Sequence, residues 1–161
     1  NLNLYIISED EEGKLTAPSS ALKNNLRTWM SGYKMINDTI DILDAEIVNI
    51  GIEFDLVTRV ESNKYEVLER ALTTLRTKFQ EYSFYIGEPI YYTEIYQTLN
   101  RVAGVADTTN VKITQKYDSR YSQISYDVDY FTSPDGRYVA IPQNAIFEIK
   151  FPNLDIKGIV K

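Results

Sequence analysis

A long stretch of alternating apolar and polar side chains constrains the fold of this chain more than any other feature. Within the stretch from Ile42 to Val60, the five consecutive even positions 48–56 are all apolar, and polar residues such as Asn49 and Glu53 fall among the odd ones. Because successive side chains of a strand point to opposite faces, this period of two predicts one long strand with one buried face. The inward set is Val48, Ile50, Ile52, Phe54 and Leu56. Asn49, Gly51, Glu53, Asp55 and Arg59 are expected to lie largely toward solvent.

The next segment supplies a covering layer for this strand. Asn63 followed by Glu66 is an N-cap signature, and apolar residues recur at spacings of three and four from Lys64 to Tyr82. This pattern predicts a helix with a broad apolar stripe. Leu72 lies in the middle of the stripe, so we expect it to be buried against the strand together with Phe54.

Two further helices are predicted from caps and spacing. Ser19 or Ser20 can cap a helix that ends at Gly32, and Thr93 can cap another that runs to about Ala103. Residues 33–39 are expected to connect the first of these helices to the long strand. One face of the first helix is predicted to carry Leu22, Leu26, Trp29 and Met30. In the second helix, Ile95, Leu99 and Val102 are predicted to point inward.

The remainder of the chain has the patterns of strands. A hairpin is predicted from Val111 to Tyr130, with a polar turn at residues 118–120, and further strands near 145–151 and 156–160. Its second strand would place four side chains on one face: Ile124, Tyr126, Val128 and Tyr130.

These elements predict an α+β fold. We expect a two-layer sandwich with helices on one face of a mixed or antiparallel sheet, a ferredoxin-like variant, plus a β-rich C-terminal extension. Residues 1–42 would be an N-terminal strand and helix leading in from a preceding domain. Residues 43–116 would be the α+β core, and residues 117–161 the β hairpin and C-terminal strands.

Composition excludes several classes of function. The 161 residues include no His and no Cys, so imidazole bases, thiol nucleophiles, disulfides and thiolate zinc sites are all excluded. The formal net charge of −6 argues against nucleic acid and anionic membranes as partners. No apolar run is long enough for a transmembrane helix. We therefore expect no enzyme and no cofactor.

Two groups of carboxylates are candidates for a site. Asp127 and Asp129 could ligate a hard cation, but the alternation places both on the polar face of a strand, and EF-hand spacing is missing. Asp41, Asp44 and Glu46 could include the paired acids of a hydrolase, although nothing in the sequence brings two of them together. We predict no metal site and no catalytic residue.

The 13 tyrosines are a surplus. Tyrosine is favoured where one end of a side chain is buried and the other is wet, as in protein interfaces. The same residues could stack on sugars, so a small-ligand or carbohydrate-binding α+β module is the alternative interpretation.

Three stretches carry a resemblance to a known family. They are residues 21–30 (ALKNNLRTWM) with 40–51 (IDILDAEIVNIG), the predicted helix from Lys64 to Tyr82, and residues 87–90 (GEPI) with 95–105 (IYQTLNRVAGV). In this order they resemble the C-terminal half of the baseplate J-like proteins of contractile-tailed bacteriophages. The version most similar is the large baseplate wedge subunit of T-even-like phages. The resemblance covers about Leu4 to Ile113.

The resemblance implies a structural subunit of the virion. Members of the family form the tail baseplate, assembled in the host cytoplasm, and contact copies of themselves and other baseplate proteins without catalysis. A homo-oligomer is expected in the full-length protein. Within the predicted hairpin, the interface candidates are Tyr117, Arg120, Tyr121 and Tyr130.

Overall fold

The computed structural model describes residues 1–35 and 38–161. The predicted connector 33–39 contains residues 36 and 37, which lie outside the described residues. The helices are α1 (Ser20–Ser31), α2 (Lys64–Glu81), α3 (Tyr92–Asn100), α4 (Val128–Phe131) and α5 (Pro152–Asp155). The strands are β1 (Leu2–Ile6), β2 (Ser8–Glu9), β3 (Leu15–Thr16), β4 (Ile40–Asp44), β5 (Glu46–Thr58), β6 (Ile90–Tyr91), β7 (Val105–Gln115), β8 (Tyr138–Val139), β9 (Ala145–Glu148) and β10 (Ile156–Val160).

Strand β5 is the centre of the main sheet. Strand β7 pairs with it antiparallel, while β9 and β10 pair with it parallel along its first and second halves. Phe54 is thus flanked by Val111 on one side and Gly158 on the other. The fold is α+β with a mixed sheet, as predicted.

The C-terminal strands are part of this main sheet. Because β9 and β10 pair with β5, residues 145–160 complete the core. The prediction of a β-rich C-terminal extension is therefore corrected. The finer ferredoxin-like topology is not confirmed.

The predicted inward face of β5 is buried as expected. The five predicted inward residues are each at most 1% exposed: Val48, Ile50, Ile52, Phe54 and Leu56. The opposite face departs from the prediction, because Asn49 and Gly51 are also buried. A Cβ atom on Gly51 would lie 2.8 Å from the carbonyl oxygen of Asp155, so the segment containing α5 covers this side of the strand.

Helices α2 and α3 form the second layer. The side chain of Asn63 caps α2 by accepting hydrogen bonds from the N–H groups of Tyr65 and Glu66, as predicted. The buried face of α2 includes Leu72, and that of α3 includes Ile95 and Leu99. Thr93 is not the cap of α3, because that helix starts at Tyr92 and has no side-chain cap.

None of the helices in residues 1–35 and 38–161 combines the length and apolar character that crossing a bilayer requires.

The N-terminal part of the chain is a small β-α-β unit. Strands β1 and β4 form a parallel two-stranded sheet, and α1 lies between them in sequence. Ser19 caps α1 as predicted, but the helix has no buried residue. Leu22 and Trp29, on the predicted apolar face of α1, are 48% and 64% exposed, so this face is not packed into the core.

Candidate interaction surface

The segment predicted as a hairpin has a different structure. Strand β7 ends at Gln115, and the residues that follow form no second strand. Residues 116–127, here called the connector, lead into the single helical turn of α4. Tyr126 and Val128 are buried, whereas Tyr130 is 79% exposed, because the chain turns into α4 after Asp127.

The connector is held by side-chain hydrogen bonds and not by pairing with another strand. The Gln115 side chain donates to the carbonyl oxygen of Ile124 at 2.6 Å and accepts from the N–H of Tyr126 at 3.2 Å. The Asn49 Oδ1 atom accepts from the N–H of Ser122 at 2.8 Å. These bonds satisfy connector backbone groups without a sheet ladder, so the segment is fixed against the main sheet.

Tyr121 anchors the connector inward. Its side chain is 8% exposed, and its hydroxyl donates to Asp155 Oδ1 at 2.6 Å. Its ring lies 5.7 Å from that of Phe151 in an edge-on arrangement. Burial, together with the hydrogen bond to Asp155, raises the pKa of Tyr121 to about 12. In this structure Tyr121 is an internal anchor, which corrects its expected place on the exposed surface.

Arg120 lies at the exposed turn of the connector. Its guanidinium donates to both oxygens of Asp118, and its own N–H also bonds that carboxylate. The hydrogen bond from the Arg120 side chain lowers the pKa of Asp118 below its usual value. Exposed pairs of this kind contribute little to stability. Arg120 therefore remains accessible to a partner.

Tyr117 and Tyr130 are the exposed aromatic residues of this region. Tyr117 is 58% exposed on the connector. Tyr130 projects from α4, where its ring contacts Phe131, which in turn stacks on Tyr126. No hydrogen bond, ion pair or aromatic contact within the described part of the chain joins Tyr130 to Tyr117 or Arg120. We call Tyr117, Arg120 and Tyr130 the connector surface.

Two of the carboxylates considered as metal or hydrolase sites have structural partners. Asp127 caps α4 by accepting from the N–H groups of Asp129 and Tyr130 at 3.0 and 3.2 Å. This is a correction, since Asp127 was placed on the polar face of a strand. Asp44 pairs with Lys23 at 3.0 Å. Within residues 1–35 and 38–161, no three acidic side chains come together as metal ligands would.

Sequence reasoning missed a second exposed apolar surface, on the N-terminal unit. Leu2, Trp29, Tyr33 and Ile40 line a groove of about 490 Å³. The Trp29 and Tyr33 rings lie 4.9 Å apart, and Tyr33 is 76% exposed. The spacing in α1 correctly grouped its apolar side chains, but it could not indicate that the main sheet is covered by α2 and α3 instead.

A cleft of about 690 Å³ lies between the β2–β3 hairpin, the end of α2 and the segment from β9 to α5. Glu9, Glu12 and Lys14 contribute polar groups to it. The buried Glu148 also lines it and accepts from the N–H of Leu15 at 2.6 Å, which holds the hairpin in place. Its aromatic lining consists of Phe79, Tyr82, Phe84, Phe147 and Phe151.

No protein-family model matches this chain, and no curated protein matches it either.

Proposed function

We propose that this chain is a structural subunit of a phage tail baseplate wedge. It acts in the virion, is assembled in the host cytoplasm, and contacts copies of itself and other baseplate proteins. It binds neither nucleic acid nor membrane and catalyses no reaction.

The observation that carries this proposal is the exposure of large aromatic side chains on an ordered surface. Tyr117 and Tyr130 are more than half exposed, while hydrogen bonds from Gln115 and Asn49 hold the connector between them. Interfaces concentrate their binding energy in a few Tyr, Trp and Arg residues. Because the connector is already fixed, binding there would cost little ordering entropy.

The resemblance to baseplate J-like proteins supports the same proposal. Its first stretch covers most of α1, its second contains α2, and its third covers most of α3. The one long strand predicted from Ile42 to Val60 is divided here into β4 and β5. The absence of His and Cys from the sequence and the net charge of −6 fit a structural role better than catalysis or nucleic-acid binding.

Electron microscopy with a labelled antibody tests the assignment. Tailed particles of the phage that encodes this chain are incubated with a gold-labelled antibody raised against it. The proposal predicts label at the baseplate end of the tail, and the matched control is pre-immune serum. Label confined to the head or to the tail tube would contradict the assignment. So would the absence of label on particles in which mass spectrometry detects the chain at baseplate stoichiometry.

The cleft favours one alternative, a small-ligand or carbohydrate-binding module. Its volume of about 690 Å³ and its aromatic lining are within the range of ligand sites. Leu154, which lines the cleft, is 54% exposed. If a neutral oligosaccharide binds there, it should raise the melting temperature by mass action.

Matched variants locate any such binding. Leu154→Glu should remove the oligosaccharide-induced shift, while Ile159→Glu, at an equally exposed apolar side chain on β10, should keep it. If no oligosaccharide raises the melting temperature, or if both variants keep the shift, the cleft is not the binding site and the alternative fails.

A further inference from the structure

Basic side chains from three separate segments of the chain meet beside the ring of Phe151. The ammonium groups of Lys14 and Lys150 lie 5.5 and 5.6 Å from the centroid of this ring. The Lys150 ammonium also donates to the carbonyl oxygen of Arg120 at 2.6 Å, which brings the exposed turn of the connector to the same place. The Arg120 guanidinium lies 5.5 Å from the ring of Tyr121, which contacts Phe151 edge-on. Lys14, Lys150 and Arg120 therefore form one group of positive charge.

Lys116, the first residue of the connector, extends this group. Its side chain crosses Gly51, since a Cβ atom on that glycine would lie 2.5 Å from Lys116 Cε and 2.8 Å from the carbonyl oxygen of Asp155. Asp155 ends α5, which starts directly after Phe151, so Lys116 lies beside the segment that carries Lys150. We give the name basic cluster to four residues: Lys14, Lys116, Arg120 and Lys150.

The lysines of the basic cluster have no acidic partner. No ion pair in the described ranges 1–35 and 38–161 includes Lys14, Lys116 or Lys150. Lys14 donates to the carbonyl oxygen of Lys150, and Lys150 to that of Arg120, which uses one donor of each ammonium group and leaves the others for a ligand. Because these bonds already hold the two ammonium groups in place, an anion that binds them pays little ordering entropy.

The acidic groups closest to the basic cluster are engaged elsewhere. Asp118 pairs with Arg120 at 2.9 Å, but both side chains are exposed, and such pairs are weak. Glu148 and Asp155 are buried, and each carboxylate accepts hydrogen bonds from inside the protein. The excess positive charge of the cluster is therefore directed toward solvent.

The hairpin beside the basic cluster limits the length of a suitable anion. Glu9 and Glu12 lie on the same hairpin as Lys14 and are exposed. The chain as a whole has a net charge of −6. An extended polyanion such as nucleic acid would reach these repulsive charges, whereas a short anionic segment can remain within the cluster.

We propose that the basic cluster binds a short acidic segment of a partner protein, in which a few neighbouring Asp or Glu side chains supply the missing counterions. Arg120 belongs to both the cluster and the connector surface, so the acidic segment belongs to the partner that contacts that surface. In this respect the inference rests on the proposed function, and it adds the chemistry of the partner. Complementary charge of this kind gives an interface its specificity and speeds the encounter.

Fluorescence anisotropy with a labelled tetraglutamate peptide tests the inference on the full chain. The wild type should bind this peptide at least about tenfold more tightly than tetraglutamine, and added salt should weaken the binding. Lys14→Gln combined with Lys150→Gln should weaken it by about tenfold. Lys116→Gln combined with Arg120→Gln should do the same, and it removes none of the side-chain hydrogen bonds that attach the connector to the main sheet.

A charge-matched control separates the basic cluster from general charge effects. Lys34→Gln combined with Lys64→Gln removes the same charge from exposed positions outside the cluster and should bind tetraglutamate as the wild type does. Circular dichroism melting checks that each variant folds. Three results would each overturn the inference: no binding of tetraglutamate at about 1 mM, equal losses in the cluster and control variants, or tighter binding of a thymidine oligonucleotide of the same charge. Antibody labelling of the baseplate can succeed or fail independently of these results.

Discussion

Hydrogen bonds from buried polar side chains attach particular loops to the main sheet. Asn49 donates to Glu148 Oε1 at 2.8 Å and accepts from the connector, while Glu148 Oε2 accepts from the β2–β3 hairpin. Asp155 accepts from Tyr121 in the same way. Each bond joins residues distant in sequence, so no local pattern indicates it. This is why sequence analysis placed Asn49 and Tyr121 on exposed faces.

The buried Tyr121 hydroxyl predicts a loss of stability at alkaline pH. An unfolded tyrosine ionises near pH 10, whereas the pKa of Tyr121 in the folded state is raised to about 12. The folded state therefore keeps its proton where the unfolded state loses one, and the stability that is fully present below pH 10 decreases as the pH rises toward 12. Tyr82 and Tyr126, whose pKa values are also raised, add to this loss.

Tyr121→Phe should make the free energy of unfolding less dependent on pH between about 10 and 12, because it removes one of these groups. Urea denaturation at several pH values measures the slope. An identical slope in Tyr121→Phe and the wild type would show that the hydroxyl is not buried as described.

Gly158 leaves the space beside β10 that the Phe54 ring occupies. A Cβ atom on Gly158 would lie 2.3 Å from this ring, which is 1% exposed. Gly158→Ala should therefore cost about 1–3 kcal/mol of stability through overpacking. Lys157→Ala, at the exposed neighbouring position, should cost less than about 0.5 kcal/mol. Equal costs in chemical denaturation would contradict this packing.

At the scale of elements, the packing of α2 on the sheet forms the core. Leu72 is buried on the inward face of α2, as its position in the apolar stripe predicted, so Leu72→Ala should cost about 2–5 kcal/mol. The same substitution at Leu22, exposed on α1, should cost less than about 0.5 kcal/mol. Urea denaturation measures both values. A loss of stability below about 0.5 kcal/mol for Leu72→Ala would show that α2 does not pack into the core as described.

Elements with a local signal were predictable. Three signals of this kind lie within single elements: the alternation in β5, the cap and apolar stripe of α2, and the Ser19 cap of α1. These signals fixed the type and approximate bounds of the elements. They also identified the inward face of β5.

Pairing partners were not predictable from the same signals. Residues 124–130 have the alternation of a strand, but Gln115 occupies the backbone groups that a second strand would use, and Asp127 starts a helical turn. Likewise, nothing local indicates that β9 and β10 pair parallel with β5, about 100 residues earlier. The same limit applies to the interface candidates. Tyr117, Arg120 and Tyr130 are exposed, whereas Tyr121 is buried because its hydroxyl bonds Asp155, which is distant in sequence.

At the scale of the whole molecule, exposed aromatic side chains include those of the connector surface and, on the N-terminal unit, Trp29 and Tyr33. Tyr65 and Tyr85 are exposed as well. A subunit that contacts both copies of itself and other proteins needs more than one contact surface. Under the proposed function, the connector surface is the one that contacts other baseplate proteins.

Incorporation into particles tests the central claim, that the chain acts through an assembly surface, most directly. Tyr117→Ser combined with Tyr130→Ser should leave the melting temperature unchanged, because both side chains are exposed, and should reduce incorporation into particles by more than about tenfold. Tyr121 is left intact because it is buried. The matched control, Tyr65→Ser combined with Tyr85→Ser at equally exposed positions, should assemble normally. Wild-type incorporation of the Tyr117 and Tyr130 variant would contradict the account.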